Sequence, residues 1–451
     1  MTEEVDVVVV GLGVGGEEVA GRLAEAGRDV IGIEGDLVGG ECPYWGCIPS
    51  KMIVRASDLL AETARVDGIA GRAHAIPDWT PVADRIRDEA TDDWNDSVAV
   101  KRFTDKGGRF VRGWATLTGP GEVDVDGTGF RARDGVVLAT GSAPVVPPID
   151  GLAGTPYWTN RQLIEAETLP DSLLVLGGGA IGLELAQALG RFGVEVHIVE
   201  ASDRVISGEE PESSQLIEEI LHSDGITVHL NATATAVEHD GRFTLTTSDQ
   251  RRLVADQLLV SVGRRSRLDK LGVEKVGLDS SARALAVDER MRAGEKLWAV
   301  GDLTGHGVFT HMAMYQADIV VRDILGQGGP AADYRAVPRV TFTDPEIGAV
   351  GMTESQALQA GHSVKIGMAR IPATTRGWIH KAGNAGFIKL VIDAERDVLL
   401  GATSAGPAGG EVLSMLTLAV KTNTPVATLR DMIYAYPTFH RGILDALHDL
   451  D

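Results

Sequence analysis

The sequence predicts an α/β protein of several domains, and two glycine-rich segments are the main reason. Each lies where a short apolar strand meets a helix, and each is followed by a second strand that ends in glutamate. The offset from the first glycine to this acid is identical, from Gly11 to Glu34 and from Gly177 to Glu200. A chain of 451 residues is also long for one ordinary domain, and three domains are a reasonable expectation.

The two segments follow the same order of elements. In the first, a strand over residues 5–10 leads through Gly11-Leu12-Gly13-Val14-Gly15-Gly16 into a helix to about residue 26, then a strand over 29–33. In the second, a strand over 173–176 leads through Gly177-Gly178-Gly179-Ala180-Ile181-Gly182 into a helix to about residue 192, then a strand over 195–199. We therefore call them the first and second βαβ segments.

Glycines at this spacing are typical of dinucleotide-binding loops. The first permits a tight turn, the second lets the backbone approach a pyrophosphate, and the third lets the helix pack close to the strand. The helix N-terminus offers N–H groups to the phosphates, and the acid accepts from a ribose 2′-hydroxyl. Glu200 would repel a 2′-phosphate and favours NADH over NADPH, although Arg204 could soften that preference. The predicted contacts in the second segment are Gly177, Gly179, Ile181, Gly182 and Glu200.

Both cysteines of the chain, Cys42 and Cys47, lie five residues apart shortly after the first βαβ segment. The acidic N-terminus lacks the features of a signal peptide, so we expect a cytoplasmic location. In that reducing compartment a close cysteine pair is more often catalytic than structural. A helix predicted over residues 48–62 would place a thiol near its N-terminus, where thiolates are favoured. The pattern predicts a flavin that exchanges electrons with a dithiol, with a static disulfide or two buried thiols as the alternative.

Composition excludes other classes of function. The net charge of −22 disfavours nucleic-acid binding, which needs a basic surface. The apolar stretch over residues 7–10 is far too short to span a bilayer, and we expect neither membrane insertion nor a metal site.

The remaining sequence predicts how the domains are arranged. Residues 136–138 are predicted to form a buried strand before Ala139-Thr140-Gly141-Ser142, and the proline-rich residues 143–148 to cross into a second domain. A third section begins near Pro338. Within it, Thr353-Glu354-Ser355-Gln356 predicts a capping box at the start of a helix, residues 383–405 predict strands and turns, and residues 410–422 predict a helix.

Further motifs give the chain a family resemblance. They are Gly39-Gly40-Glu41-Cys42, Gly46-Cys47-Ile48-Pro49-Ser50-Lys51, Val262-Gly263-Arg264 and Ala299-Val300-Gly301-Asp302. With both glycine loops, they resemble the class I flavin-dependent pyridine nucleotide–disulfide oxidoreductases, the group of dihydrolipoamide dehydrogenase, glutathione reductase and mercuric reductase. The resemblance covers essentially the whole chain. It implies a Rossmann-like FAD domain (1–149 and 271–335), a Rossmann-like NAD(P) domain (150–270), and an α+β dimerisation domain (336–451).

The resemblance also implies residue roles. Cys47 would face the flavin and Cys42 would attack the substrate, while Lys51 would lie near flavin N5 with Glu184 as its ion-pair partner. Asp302 would bind the ribitol, and a helix over residues 310–318 would point its N-terminus at the flavin. The other implied FAD or NAD(P)H contacts are Gly11, Gly13, Gly16, Glu34, Gly40, Glu41, Ala139, Thr140, Gly141, Gly263, Met312 and Ala313. Electrons would pass from NADH by way of the flavin to the disulfide.

One segment departs from the family pattern. Family disulfide reductases carry a histidine and, five residues later, a glutamate, which act as the acid–base dyad of thiol–disulfide exchange and come from the partner subunit. Here Tyr436 and Arg441 stand at those positions, beside the matching Pro437 and Thr438. His440 is an alternative base if a helix starts at Pro437. This resemblance implies a homodimer, because the active site borrows the C-terminal segment.

We therefore expect a FAD-dependent NAD(P)H oxidoreductase that reduces a small electron acceptor such as a quinone. One alternative is a disulfide reductase in which Tyr436, His440 or solvent handles protons and Arg441 recognises an anionic group. Another is a non-enzymatic flavin redox sensor or complex subunit. Mercuric reduction is not expected, because the resemblance implies that mercuric reductases carry a second, C-terminal cysteine pair, and no cysteine follows Cys47 here. Tyr44 and Trp45 are predicted either to stack on a planar acceptor or to pack against the domain.

Overall fold

The computed structural model describes residues 2–450, which form two compact units. Unit 1 contains the described residues up to Ser50, Asp84–Val145 and Gly263–Tyr334. Unit 2 contains Lys51–Ala83, Val146–Val262 and the described residues from Arg335 onward. Each is therefore assembled from segments far apart in sequence.

Unit 1 is built on an eight-stranded sheet whose centre is the apolar strand Thr2–Val10. This strand pairs in parallel with Val30–Glu34 and Thr128–Leu138. Val8 and Val10 face one buried cluster, and Val7 and Val9 face another on the opposite side. A continuous run of valines suits this strand because both faces of the sheet are covered. The other strands are Arg109–Arg112, Leu297–Ala299, Arg292–Gly294, Glu122–Val125 and Ala115–Gly119.

The helices of unit 1 include Val14–Glu25, Glu41–Tyr44, Ser97–Asp105 and Thr310–Ile324, a π-helical turn at Ile86–Ala90, and 3₁₀ turns at Leu268–Lys270, Val273–Val276 and Gly301–Thr304. Helix Cys47–Ala64 has its first residues in unit 1 and the rest in unit 2. Helix Thr80–Arg85 has its first residues in unit 2 and its last residues in unit 1. Helices Val14–Glu25 and Thr310–Ile324 pack closely, since a Cβ on Gly15 would lie 3.0 Å from the Ala313 Cβ.

Unit 2 contains three sheets. A parallel sheet orders the strands Thr227–His229, Glu195–Val199, Ser172–Leu176 and Gln257–Val260, and an antiparallel sheet contains Ala234–His239, Phe243–Thr247 and Arg252–Ala255. A five-stranded antiparallel sheet orders Pro338–Thr341, Glu346–Gly351, Val398–Gly406, Phe387–Asp393 and Val364–Arg370. The helices are Asn160–Ile164, Ala180–Arg191, Pro211–Ser223, Glu354–Gln359, Thr375–His380, Gly409–Thr422, Val426–Asp431 and Gly442–His448, with a 3₁₀ turn at Ile371–Ala373.

Several expectations about local structure are confirmed. Both βαβ segments form with bounds close to those predicted, and Thr353 caps helix Glu354–Gln359 in a reciprocal capping box with Gln356. In the proline-rich segment, Ala143–Pro144 forms a two-stranded sheet with Arg264–Arg265.

Within residues 2–450, we find no helix with the length and apolar character that a bilayer crossing requires.

Two expectations need correction, and the helix after the cysteines does not. The strand predicted over residues 136–138 is the end of the longer strand Thr128–Leu138, whose outer part alternates exposed and buried residues. The helix predicted over residues 48–62 is present as Cys47–Ala64, with Cys47 at its N-terminus, while Cys42 lies in the separate short helix Glu41–Tyr44. No helix starts at Pro437, since residues 436–440 form turns and the helix begins at Gly442. The boundaries of the three expected domains remain a prediction.

Candidate active site

The first and third glycines of both loops are required by the backbone. Gly11 and Gly177 have φ of +90° and +110°, a region that residues with a Cβ avoid. A Cβ on Gly16 would lie 1.9 Å from the Gly11 carbonyl oxygen, and one on Gly182 would lie 2.4 Å from that of Gly177. Each loop therefore closes tightly on its own first residue.

The second glycines leave open space for a ligand. The nearest atom to a Cβ on Gly13 is 4.0 Å away, and nothing lies within 4 Å of one on Gly179. Both residues are N-caps of twelve-residue helices, so no side-chain cap bond takes up the first N–H groups. This combination of open backbone and unused donors fits a pyrophosphate in each loop.

The acids that end the second strands are held in matching ways. Glu34 accepts hydrogen bonds from the N–H groups of Leu12 at 2.7 Å and Asp36 at 2.8 Å. Burial raises the pKa of Glu34, an effect that these two bonds oppose. Glu200 accepts from Gly178 and Ser202, both at 2.7 Å. Each carboxylate is oriented by its own loop and keeps lone pairs for ribose hydroxyls.

Arg204, the residue that could soften the coenzyme preference, is fixed by its own loop. Its guanidinium donates to the carbonyl oxygens of Glu209 at 2.9 Å and Ser207 at 2.6 Å, and to the Ser214 hydroxyl at 2.9 Å. These bonds leave few donors for a 2′-phosphate.

Asp302 lies in a polar chain within unit 1. Its carboxylate accepts from the Ser142 hydroxyl at 2.5 Å, and burial raises the pKa of Asp302. Arg264 donates to the Ser142 hydroxyl at 2.9 Å and carbonyl at 2.7 Å, and lies 3.4 Å from the Glu41 carboxylate. The chain thus links Asp302 to the residue before Cys42. Ser142 and Arg264 belong to motifs that the sequence displayed, but their linking role was not predicted.

Both cysteines are unbridged thiols in unit 1. A hydrogen bond to Cys47 and burial raise the pKa of Cys42, which disfavours the thiolate form of Cys42. Cys47 is the first residue of helix Cys47–Ala64, and its sulfur lies 3.3 Å from the hydroxyl oxygen of Thr310. Thr310 begins helix Thr310–Ile324, the helix expected to point at the flavin. No local sequence signal identifies Thr310 as a contact of Cys47, because the two residues are far apart along the chain.

The segment before the cysteines lies directly on the first glycine loop. The Gly39 N–H donates to the Leu12 carbonyl at 2.7 Å, and a Cβ on Gly40 would lie 2.9 Å from the Gly13 Cα. Unit 1 contains thirteen of the residues implied to contact FAD or NAD(P)H: Gly11, Gly13, Gly16, Glu34, Gly40, Glu41, Ala139, Thr140, Gly141, Gly263, Asp302, Met312 and Ala313.

Unit 2 forms the predicted ion pair. The Lys51 ammonium lies 2.5 Å from Glu184, whose side chain is 7% exposed. The other Glu184 oxygen accepts from the Phe342 N–H at 2.8 Å, and the Lys51 nitrogen lies 4.5 Å from the centroid of the Phe342 ring. A buried carboxylate with both oxygens partnered can hold a lysine charge in place. The role of Phe342 in this ion pair was not predicted.

Ile181, in the second glycine loop, is 40% exposed.

Among the described residues of the C-terminal segment, residues 434–450, no histidine forms an ion pair with a carboxylate. Tyr436 donates to the Thr375 hydroxyl at 3.3 Å, and the Arg441 guanidinium lies 5.6 Å from the Tyr436 ring centroid and forms an ion pair with Asp445 at 3.0 Å. The His440 ring lies 6.1 Å from that of the buried Tyr434, in the turn before the helix.

Tyr44 and Trp45 are each only 6% exposed, with ring centroids 5.8 Å apart. They pack in the interior and present no free face on which a planar acceptor could stack. Of the two roles expected for this segment, packing is therefore the correct one.

Comparison with known proteins identifies the family. The chain matches the pyridine nucleotide-disulphide oxidoreductase family over residues 5–317 and the dimerisation domain of that family over residues 337–447. The chain belongs to this family. It is an oxidoreductase of the class I flavoprotein type, and the family uses FAD and NAD(P)H.

Individual relatives align over nearly the full length. The chain is 34% identical to a dihydrolipoyl dehydrogenase of Thermus scotoductus, covering 99% of this chain and 97% of the relative. It is 33% identical to a mercuric reductase of Streptomyces lividans, covering 97% and 94%. The solved structure of the HOCl-induced flavoprotein disulfide reductase RclA from Escherichia coli, a Cu(II) complex, superposes with a TM-score of 0.87 at 27% identity over 99% of both chains. The α/β fold with a dimerisation domain is thereby confirmed.

Proposed function

We propose that this oxidoreductase transfers electrons from NADH to a small non-disulfide acceptor, with a quinone as the favoured class. In the overall reaction, NADH, a proton and a quinone give NAD⁺ and a hydroquinone. The observation that carries this proposal is the pairing of Tyr436 with Thr375 and of Arg441 with Asp445, where family members hold an acid–base dyad.

The lost dyad matters because of proton transfer. Thiol–disulfide exchange with a substrate needs a base poised near neutral pH, and a phenol with a reference pKa of about 10 is a poor one. A guanidinium at the position of the glutamate would repel an imidazolium instead of stabilising it. His440 packs beside Tyr434, and we propose that it does not act as the missing base. A quinone breaks no S–S bond and can take its protons from solvent.

The remaining residues support electron delivery. When bound, FAD accepts a hydride from NADH and passes the electron pair on. The first glycine loop, Glu34 and Asp302 would hold it. Glu184 fixes the charge of Lys51, which lies four residues after Cys47 on one helix. The raised pKa of Cys42 and the position of Cys47 at the N-terminus of helix Cys47–Ala64 support Cys47 as the sulfur that would exchange electrons with the flavin.

NADH is the proposed coenzyme. Glu200 is the acid expected to accept from the ribose, and two N–H groups orient its carboxylate, while the guanidinium of Arg204 is hydrogen-bonded within its own loop. We further propose a homodimer, the three domains with the boundaries given above, and a cytoplasmic location.

Steady-state assays with the purified holoenzyme test the proposal. We expect NADH oxidation with 1,4-naphthoquinone and little activity with lipoamide. The double variant Tyr436→His with Arg441→Glu would supply the family dyad and should increase lipoamide reduction. High lipoamide activity of the natural protein, with negligible quinone activity, would overturn the proposal.

A disulfide reductase is the second candidate, favoured by the intact, hydrogen-bonded pair of thiols. The E. coli protein RclA is named a disulfide reductase. Under this alternative, Cys42→Ser should abolish turnover of the disulfide substrate. If NADH fails to bleach the flavin under anaerobic conditions, a non-enzymatic sensor or complex subunit becomes the better account.

A further inference from the structure

We propose that Arg376 and Arg441, together with the Thr375 hydroxyl, form a subsite for an anionic group on the electron acceptor, such as a carboxylate or sulfonate. These three residues and Tyr436 line one shallow surface depression of unit 2, called the cleft below, so a ligand would lie against it and would not enter a cavity. The inference rests on the proposed function, in which a small acceptor approaches this C-terminal segment.

Arg376 is the strongest reason. Its guanidinium lies 5.0 Å from the centroid of the Phe439 ring, and within residues 2–450 it has no carboxylate at ion-pair distance. The side chain is half-buried. A guanidinium presents five N–H donors, and an aromatic face uses none of them in a conventional hydrogen bond. Arg376 therefore retains donors in a fixed fork that matches a planar oxyanion.

Arg441 adds a second positive charge to the same cleft. Asp445, also in its lining, forms an ion pair with Arg441 at 3.0 Å and balances only one of the two guanidinium groups. The cleft is left with an excess positive charge, although the chain as a whole carries a net charge of −22. Local attraction would thus select an anion that the rest of the surface repels.

Neutral groups complete the subsite. Because Tyr436 donates to the oxygen of Thr375, the Thr375 hydroxyl can donate its own proton to a ligand. The Tyr436 ring is 66% exposed and supplies an apolar surface beside these donors. The combination fits an acidic group attached to a planar ring.

Calorimetry of the holoenzyme with 2-naphthalenesulfonate tests the cleft without any turnover. The natural protein should bind this probe more tightly than the uncharged 2-naphthol, and Arg376→Gln should weaken binding of the sulfonate roughly tenfold. Arg376→Lys keeps a charge but loses the fork and should be intermediate. Arg396→Gln is the matched control, since Arg396 is an exposed arginine elsewhere in unit 2, and it should change neither affinity.

Turnover then links the cleft to the acceptor. The ratio of kcat/KM for 1,4-naphthoquinone-2-sulfonate to that for 1,4-naphthoquinone should fall roughly tenfold in Arg376→Gln and stay constant in Arg396→Gln. If the sulfonate binds no better than the naphthol, or binds Arg376→Gln equally well, the subsite is refuted. If neither quinone is reduced, the proposed function fails, and the calorimetric result alone decides the subsite.

Discussion

The two βαβ segments have nearly the same nucleotide loop, but their helices are held in place differently. In both, the first glycine has a positive φ, the third closes on the first, and the terminal acid accepts two backbone N–H bonds. Beyond the loop, helix Val14–Glu25 packs through small apolar contacts, as at Gly15 and Ala313. Helix Ala180–Arg191 instead carries buried polar side chains.

Those side chains form one row on the second helix. Glu184, Gln187 and Arg191 are spaced three and four residues apart, which places them on one face. Gln187 exchanges hydrogen bonds with the backbone of Asp344, at 2.8 and 3.0 Å, and Arg191 contacts the carboxylates of Asp344 and, among others, Asp58. The shared loop reflects the shared chemistry of binding a pyrophosphate. The row reflects further contacts of the second helix, in which Glu184 holds Lys51 while Gln187 and Arg191 hold Asp344.

The largest expected difference comes from the third glycines. Gly16→Val should yield protein without flavin colour, because the new side chain would meet the Gly11 carbonyl. Gly182→Val should retain FAD but lose reduction by NADH. Visible absorbance before and after anaerobic NADH addition measures both. Gly208→Ala, at an open position without positive φ, is the control. Flavin retained in full by Gly16→Val would contradict the assignment of the first glycine loop to FAD.

Next in size is the difference between the helix ends. Arg191 is 7% exposed among three aspartates, whereas Arg22 is 32% exposed and contacts the exposed Glu18 and Asp318. Arg191→Met would remove the buried guanidinium that the partly buried carboxylates of Asp58, Asp224 and Asp344 share. It should lower the free energy of unfolding by about 2–3 kcal/mol, against below about 1 kcal/mol for Arg22→Met, since Asp344 keeps its ion pair with Arg65. Urea unfolding followed by fluorescence compares the two. Equal losses would contradict the assignment of the buried row to the second helix alone.

The terminal acids should differ in what they select. Glu200→Gln removes the charge that opposes a 2′-phosphate and should raise the NADPH-to-NADH ratio of kcat/KM roughly tenfold, or about 1.4 kcal/mol. Glu34→Gln should instead weaken retention of FAD. Glu195→Gln, an exposed acid on the strand before Glu200, is the control and should leave the ratio unchanged. An unchanged ratio in Glu200→Gln would remove Glu200 from coenzyme selection.

The smallest effect is a pH dependence in the row. Burial, and then the charge of Asp344, raise the pKa of Asp58 to about 6. A raised folded-state pKa means that the native state binds more protons than the unfolded state. The free energy of unfolding therefore falls as the pH rises toward and through about 6. Asp58→Asn should remove this loss. With the side chain 35% exposed, we expect the stability of the variant relative to the natural protein to increase by about 1 kcal/mol between pH 5 and 7.5. Parallel unfolding curves at the two pH values measure this. A constant difference would contradict it.

Much of the fold and part of the site could be predicted because their signals are local. A glycine with positive φ, an acid at the end of a strand, and the capping box at Thr353 each depend on neighbours a few residues away. The pairing of Lys51 with Glu184 was implied by family resemblance, and the structure contains it. By contrast, nothing near Phe342 in sequence marks it as a partner of that ion pair.

The sequence by itself determined the two nucleotide loops, the paired cysteines and the replacement of the C-terminal dyad, since residue type and short spacing are sufficient to define each. Only the tertiary structure decided that Cys47 meets Thr310, that Arg204 is bound by its own loop, that Tyr44 and Trp45 are buried, and that Arg376 and Arg441 line one cleft. The physical reason is that burial and hydrogen bonding depend on which distant segments pack together. A pattern of residues along the chain does not specify those contacts.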